Sequence, residues 1–312
     1  MYNKNNNQAG DNSTDVLAVS RRTFISVLGA AATISLPGAT SWAQAQTTSV
    51  LPLNTPGMDH LDIVVPDVEA SAKFYMGVFN TTLHAQPFQG AQRYFVLLGT
   101  LNDKREVGYV AIGESRGRGS YIGHFCTSVV EFRRDSAAIF AEMGEAFDAA
   151  GFGKFPGSTG VGGIFADPDG IEIQFLPSPD TLVTAAVPSD LAPSHQGLVT
   201  PIGVDHMLLH VSDLEKAIQY YRILYGPEAG TDNNGRVTFQ FADSRLILEQ
   251  ARYEYGFTPK IAHFAIKTEA FDKQKVASGL TALGATILPS DDEPDVLRFR
   301  DLDGIAVELR SV

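Results

Sequence analysis

Two stretches of the chain space their apolar and polar residues in the same order. Residues 60–65 and 206–211 are short runs rich in aliphatic and β-branched side chains, which predict strands. Each run is followed by an aspartate, Asp67 or Asp213, suited to cap a helix. After the second run, Leu214, Ala217, Ile218, Tyr221 and Leu224 fall at helical spacing, and Gly226 can end that helix. Strands are expected around residues 237–241, 245–249 and 261–266, then a helix near 271–283 and further strands ending at Leu309. The order is strand, helix, strands, and then the same again. Each domain therefore reads as a doubled βαβββ unit, with about four such units in the chain.

The repetition extends to named residues. Residues 58–67 return as 204–213, Gly-His-Phe at 123–125 returns as Ala-His-Phe at 262–264, and the closing segment 167–175 returns as 301–309. The offset shrinks from 146 to 139 to 134 residues, a drift expected from small loop deletions in a duplicated domain. The polar residues that recur are His, His and then Gln or Glu.

With 312 residues, 44% of them hydrophobic, the chain is long enough for two cores. A formal charge of −12 argues against nucleic acid or an anionic membrane as the main partner, since both require a basic face. Arg116 and Arg118, set among glycines, read as a solvated loop. Cys126 is the single cysteine, which excludes an intrachain disulfide, and its apolar surroundings read as a buried small residue.

The start of the chain reads as a leader. Ser20-Arg21-Arg22-Thr23-Phe24 precedes a mostly apolar run at 25–37 and a small-x-small site ending at Ala43 or Ala45. This resembles a twin-arginine export signal, which implies passage through the Tat machinery to the periplasm or outside the cell. The run is too short and too rich in small residues to span a membrane. The expected layout is a cleaved signal at 1–45, an extension at 46–55, domain one at 56–178, a proline-rich linker at 179–201 and domain two at 202–312.

Paired βαβββ units, with His on the opening strand and an Asp-Pro-Asp-Gly turn before the last strand, resemble the vicinal oxygen chelate superfamily. That group includes glyoxalase I, fosfomycin-resistance proteins, extradiol dioxygenases and bleomycin-binding proteins. The resemblance implies an α+β fold of two tandem domains, each an open cup-shaped sheet holding one divalent ion (Fe, Ni, Zn, Mn or Co). Carried onto domain two, it implies His206, His263 and Glu308 as ligands, with Glu249 as both ligand and proton carrier. In domain one the matching set is His60, His124 and Gln174; the closing carboxylate is replaced by an amide and nothing stands for Glu249, so this half reads as degenerate. Glu172 corresponds to Ala306 and not to a ligand.

His210 has no counterpart in domain one and should point into the same cup as His206, about 13 Å further along the strand, as a catalytic or substrate-contacting residue. Tyr253 and Tyr255 are candidate rim residues.

Three functions follow from the resemblance. The favoured one is a lyase or isomerase in which Glu249 or Glu308 moves a proton on a small oxygenated substrate chelated to the metal. The second is a ring-cleaving Fe(II) dioxygenase acting on a catechol, against which stand Arg298, where that group has Tyr, and Leu302, where it has Pro. The third is a resistance protein that sequesters a ligand. A small molecule is the expected partner in each case, and the resemblance leaves room for a homodimer. It also leaves open whether units pair within a domain or exchange across the linker, with pairing within a domain favoured.

Overall fold

The computed structural model describes residues 49–312 apart from 89, 100–107, 131, 156, 158–162, 179–186, 189–190, 192–195, 257 and 291–292. The proposed export signal, and most of the linker, lie outside the described residues.

Domain one opens with β1 (Met58–Val65), α1 (Val68–Val78), β2 (Leu83–Phe88), β3 (Ala91–Leu97) and β4 (Tyr109–Glu114). Its second unit holds β5 (Tyr121–Val130), α2 (Phe132–Ala149), β6 (Phe165–Ala166) and β7 (Glu172–Ser178), and a short β8 (Val187–Pro188) follows. Domain two repeats the plan with β9 (Pro201–Val211), α3 (Leu214–Tyr225), β10 (Gly230–Thr231), β11 (Val237–Gln240) and β12 (Arg245–Gln250). It closes with β13 (Lys260–Thr268), α4 (Lys273–Ala282), β14 (Thr286–Leu288), β15 (Val296–Arg300) and β16 (Ala306–Ser311). The two helix caps form as the side-chain chemistry predicts: Asp67 accepts from the Ala70 amide and Asp213 from the Lys216 amide. Gly226 ends α3 at φ 83°, a conformation open to glycine.

Each domain is one eight-stranded mixed sheet, ordered β6-β7-β5-β1-β4-β3-β2-β8 and β10-β11-β12-β9-β13-β16-β15-β14. The opening strands of consecutive units, β1 with β5 and β9 with β13, pair antiparallel at the centre. Among the described residues units therefore pair within a domain, with no strand exchanged across the linker. Alternation assigns the faces: Leu61, Ile63 and Val65 turn to the main core, as do Met207, Leu209 and Val211, leaving His60 and His206 on the cup side.

The halves are joined by a reciprocal device. Each Asp-x-Asp-Gly turn uses one oxygen of its first Asp to accept the amides of Asp169 and Ile171, or of Asp303 and Ile305. The second oxygen reaches the other domain, where Asp167 accepts the Tyr221 hydroxyl at 2.8 Å and Asp301 accepts the Tyr75 hydroxyl at 2.6 Å. Phe147 of α2 stacks on Tyr220 of α3 at 4.3 Å between ring centres, extending the same contact.

Candidate metal centre

In domain two the bulge between Ile261 and His263 sets His263 opposite Leu208, and its ring meets that of His206 edge-on. The two Nε2 atoms are 3.0 Å apart. Glu308 comes from β16, and its carboxylate, His206 and His263 offer donor atoms that all lie within 4.8 Å of one another. Glu308 is 2% exposed.

The electrostatics suit a cation. Burial, reinforced by the charge of His206 and Arg298, holds His263 well below the ordinary histidine range, so its imidazole is neutral. The Nδ1 of His206 donates to Asp205 at 2.6 Å, which fixes the ring with its Nε2 aimed at His263. Burial works to raise the Asp205 carboxyl, but hydrogen bonds and charge from His206 and Arg245 outweigh it and bring it down to about 2. Two imidazole nitrogens and a buried carboxylate converging on one point form a donor set that fits Fe, Mn, Ni, Co or Zn.

Glu249 is not part of this cluster, which corrects its expected role as a ligand. Strand β12 runs parallel to β9 with Arg245 opposite His206, so Glu249 lies opposite His210, four residues further along. Its carboxylate accepts from the Arg236 Nε at 2.7 Å. His210 is buried beside it, and burial lowers its pKa while the Glu249 charge pulls the other way. Tyr253 and Tyr255 sit on an exposed 3₁₀ turn, 55% and 69% accessible.

Domain one keeps the same frame without the carboxylate. His60 and His124 place their Nε2 atoms 3.2 Å apart, and the Gln174 amide oxygen is 3.0 Å from His124. Burial, then the charges of His60 and Arg93, take His124 down to about 3. Tyr109 stacks on His60 at 4.4 Å where domain two has Arg245, and with Phe95, Leu97 and Ala111 it forms a separate buried cluster. Asp59, His60 and the buried Cys126 also lie within 4.8 Å by their donor atoms. Glu172 is exposed and pairs with His124 in register.

Sequence reading passed over several residues. Asp59 and Asp205 orient their neighbouring histidines, and the signal was available, because Asp-His recurs in both copies. Arg245, Arg310 and Glu293 surround the domain two cluster without any pattern that marked them, and Arg298, noted only as standing where ring-cleaving dioxygenases have Tyr, joins them. A cavity of about 590 Å³ lies apart from the cluster, between the domains at the starts of β5 and β13, lined in part by Arg118, Glu172, Lys260 and Arg300.

Residues 57–175 match the family described as the Glyoxalase/Bleomycin resistance protein/Dioxygenase superfamily. The match covers domain one alone. No curated protein matches the chain. Among solved structures, the 2,3-dioxygenase LapB from Pseudomonas sp. KL28 is similar at TM-score 0.56 and 14% identity, covering 84% of this chain and 93% of its own. The Mn(II)-bound glyoxalase from Novosphingobium aromaticivorans aligns at TM-score 0.55 and 16% identity, with 83% of each chain covered. BphC, a halotolerant catechol dioxygenase, aligns at 0.53 and 14%, covering 83% and 87%. At these identities the likeness is one of fold, and it spans both domains.

Proposed function

We propose that this chain is a metal-dependent enzyme whose active centre lies in domain two, and that it cleaves the ring of a catechol-like substrate with dioxygen. The observation that carries this reading is the make-up of the cluster, two histidines and one carboxylate, with Glu249 standing beside His210 instead. The lyase or isomerase reading drew its advantage from a second carboxylate in the coordination sphere. Without it, the donor set is the facial arrangement suited to Fe(II) oxygenases. An Fe(II) ion bound there would supply redox chemistry toward dioxygen and two neighbouring substrate oxygens.

The chain's own residues prepare that site. His206, His263 and Glu308 would hold the ion, and Asp205 orients His206 through Nδ1. His210, its pKa lowered by burial and set opposite Glu249, would contact the part of the substrate that lies away from the metal. Domain one serves as a structural copy, its cup packed by Phe95, Leu97, Tyr109 and Ala111.

A second reading, proton transfer in a lyase or isomerase, is favoured by the pairing of His210 with Glu249 on one cup face and by Arg298 in the place of the dioxygenase Tyr. Metal analysis with oxygen-uptake assays on catechols separates the two. Iron and uptake support the first; Mn, Ni or Zn without uptake supports the second. A protein that retains no metal, unchanged in Glu308→Ala, would leave only a ligand-sequestering role.

We also infer export through the Tat pathway from Arg21-Arg22 and the apolar run after it. Replacing both arginines by lysine should keep the protein in the cytoplasm; unchanged fractionation would refute export by that route.

A further inference from the structure

The side chains around Glu308 close into a ring. Its Oε2 accepts from the Arg298 Nε at 2.7 Å and its Oε1 from the Arg310 Nε at 2.7 Å. The same two guanidiniums use their outer nitrogens on Glu293, at 2.6 Å to Oε1 and 3.0 Å to Oε2. Two carboxylates and two guanidiniums thus alternate, with every carboxylate oxygen engaged. Resting on the metal centre proposed above, we infer that this ring tunes Glu308: the two arginines draw charge away from the metal-binding carboxylate, and Glu293 sets how strongly they do so.

Strand geometry builds the ring. Arg298 and Glu308 lie directly opposite on β15 and β16, and Arg310 follows Glu308 by two residues on the same face. Glu293 is carried on the turn before β15, where Lys273, at the start of α4, binds the carbonyls of Ser290 and Glu293 at 2.6 and 2.9 Å. The ring is graded in exposure. The side chain of Glu308 is 2% accessible, those of Arg298 and Arg310 are 31% and 29%, and that of Glu293 is 41%. The bonds to Glu308 act where charges are poorly screened, while Glu293 acts from the rim.

Domain one offers an internal control. Where Gln174 replaces Glu308, Leu176 occupies the place of Arg310 and Ile164 that of Arg298. The arginines are present in the half that has the carboxylate and absent in the half that lacks it. If they served only to hold the sheet edge together, nothing would tie them to Glu308.

The ring does not block a metal, since a carboxylate offers about four lone-pair directions and two are taken by the Nε donors. It alters what the metal meets. A lone carboxylate would donate fully, whereas one shared by two guanidiniums donates weakly and leaves more positive charge at the ion, to be met by an anionic oxygen of the substrate. Arg310 also approaches Asp205 at 3.8 Å, which brings the partner of His206 into the same field.

This yields opposite signs for neighbouring substitutions. Glu293→Gln leaves both arginines with Glu308 as their main counter-charge and should weaken metal binding, whereas Arg298→Gln or Arg310→Gln should strengthen it. Each shift is expected on the order of tenfold, the scale of outer-shell effects on metal affinity. The test is competition for Zn(II) and for Mn(II) against a chromophoric chelator, using the mature chain and its variants, with thermal melting to verify folding. Glu293 is exposed enough that its variant should fold even if an arginine variant does not. A purely structural ring would lower affinity in all three; that result, or a change under twofold in Glu293→Gln, overturns the inference. Glu308→Gln separates the two levels of the reading. If it leaves affinity untouched, the metal centre itself is wrong; if it abolishes binding while the ring variants do nothing, only the tuning role fails.

Discussion

Tyr75 of domain one donates a hydrogen bond from its hydroxyl to Asp301 of domain two at 2.6 Å, inside a turn that shapes the approach to the strand carrying Glu308. The reverse bond, Tyr221 to Asp167, repeats it in the other direction. The turn that recurs in both halves is thus also the joint between them, and Tyr75 and Tyr221 are fully buried.

Removing either hydroxyl should therefore loosen the pair of domains. Tyr75→Phe and Tyr221→Phe leave a buried carboxylate oxygen without its donor and should each cost about 1.5–3 kcal/mol. Chemical denaturation measures this; a loss under about 0.5 kcal/mol in both would mean that water replaces the hydroxyl at no cost.

The same joint makes stability depend on pH. Burial raises Asp167 to about 6 despite the hydrogen bonds it accepts, and Asp301 is raised for the same first reason. A raised carboxyl binds its proton more tightly in the folded state, so its contribution is present below about pH 4 and is lost as pH rises through about 6. For Asp167 the full swing is on the order of 2–3 kcal/mol. Asp167→Asn, neutral at every pH, should gain in melting temperature relative to the parent between pH 4 and pH 7.5. A gap between the two that stays constant over that range would contradict the assignment.

Metal content should follow one half of the molecule. His206→Ala or Glu308→Ala should remove close to a full equivalent, whereas His60→Ala should not. Glu249→Gln should retain the metal while reducing turnover, since its carboxylate lies by His210. Loss of metal in Glu249→Gln would restore that residue to the coordination sphere.

Asp205→Asn tests the histidine's orientation separately. Losing the charged acceptor at His206 Nδ1 frees the tautomer and should weaken metal binding by roughly 10–100-fold. Binding within twofold of the parent would show that Arg245 and the strand hold the ring without help.

Much of this was legible in the residues. Short apolar runs marked the strands that carry His60 and His206, and Asp67 and Asp213 marked the helix starts after them because the capping chemistry is local. Internal repetition identified His263 and Glu308 as counterparts of His124 and Gln174, and the structure brings both sets together. Glu249 shows where such reading stops. The resemblance placed it near the end of its strand, but the register sets it opposite His210, and a displacement of four residues along a strand moves a side chain about 13 Å.

Side-chain pattern along the chain therefore determined the strand and helix units and the unequal residues of the two copies, Gln174 against Glu308, since these are read from neighbours a few residues away and from the repeat. The pairing of units within a domain, the register of β12 on β9, the ring through Glu293 and the exchange between Tyr75 and Asp301 were decided by folding. They join residues separated by up to 226 positions, and such contacts arise from packed sheets and helices whose alignment no local spacing encodes.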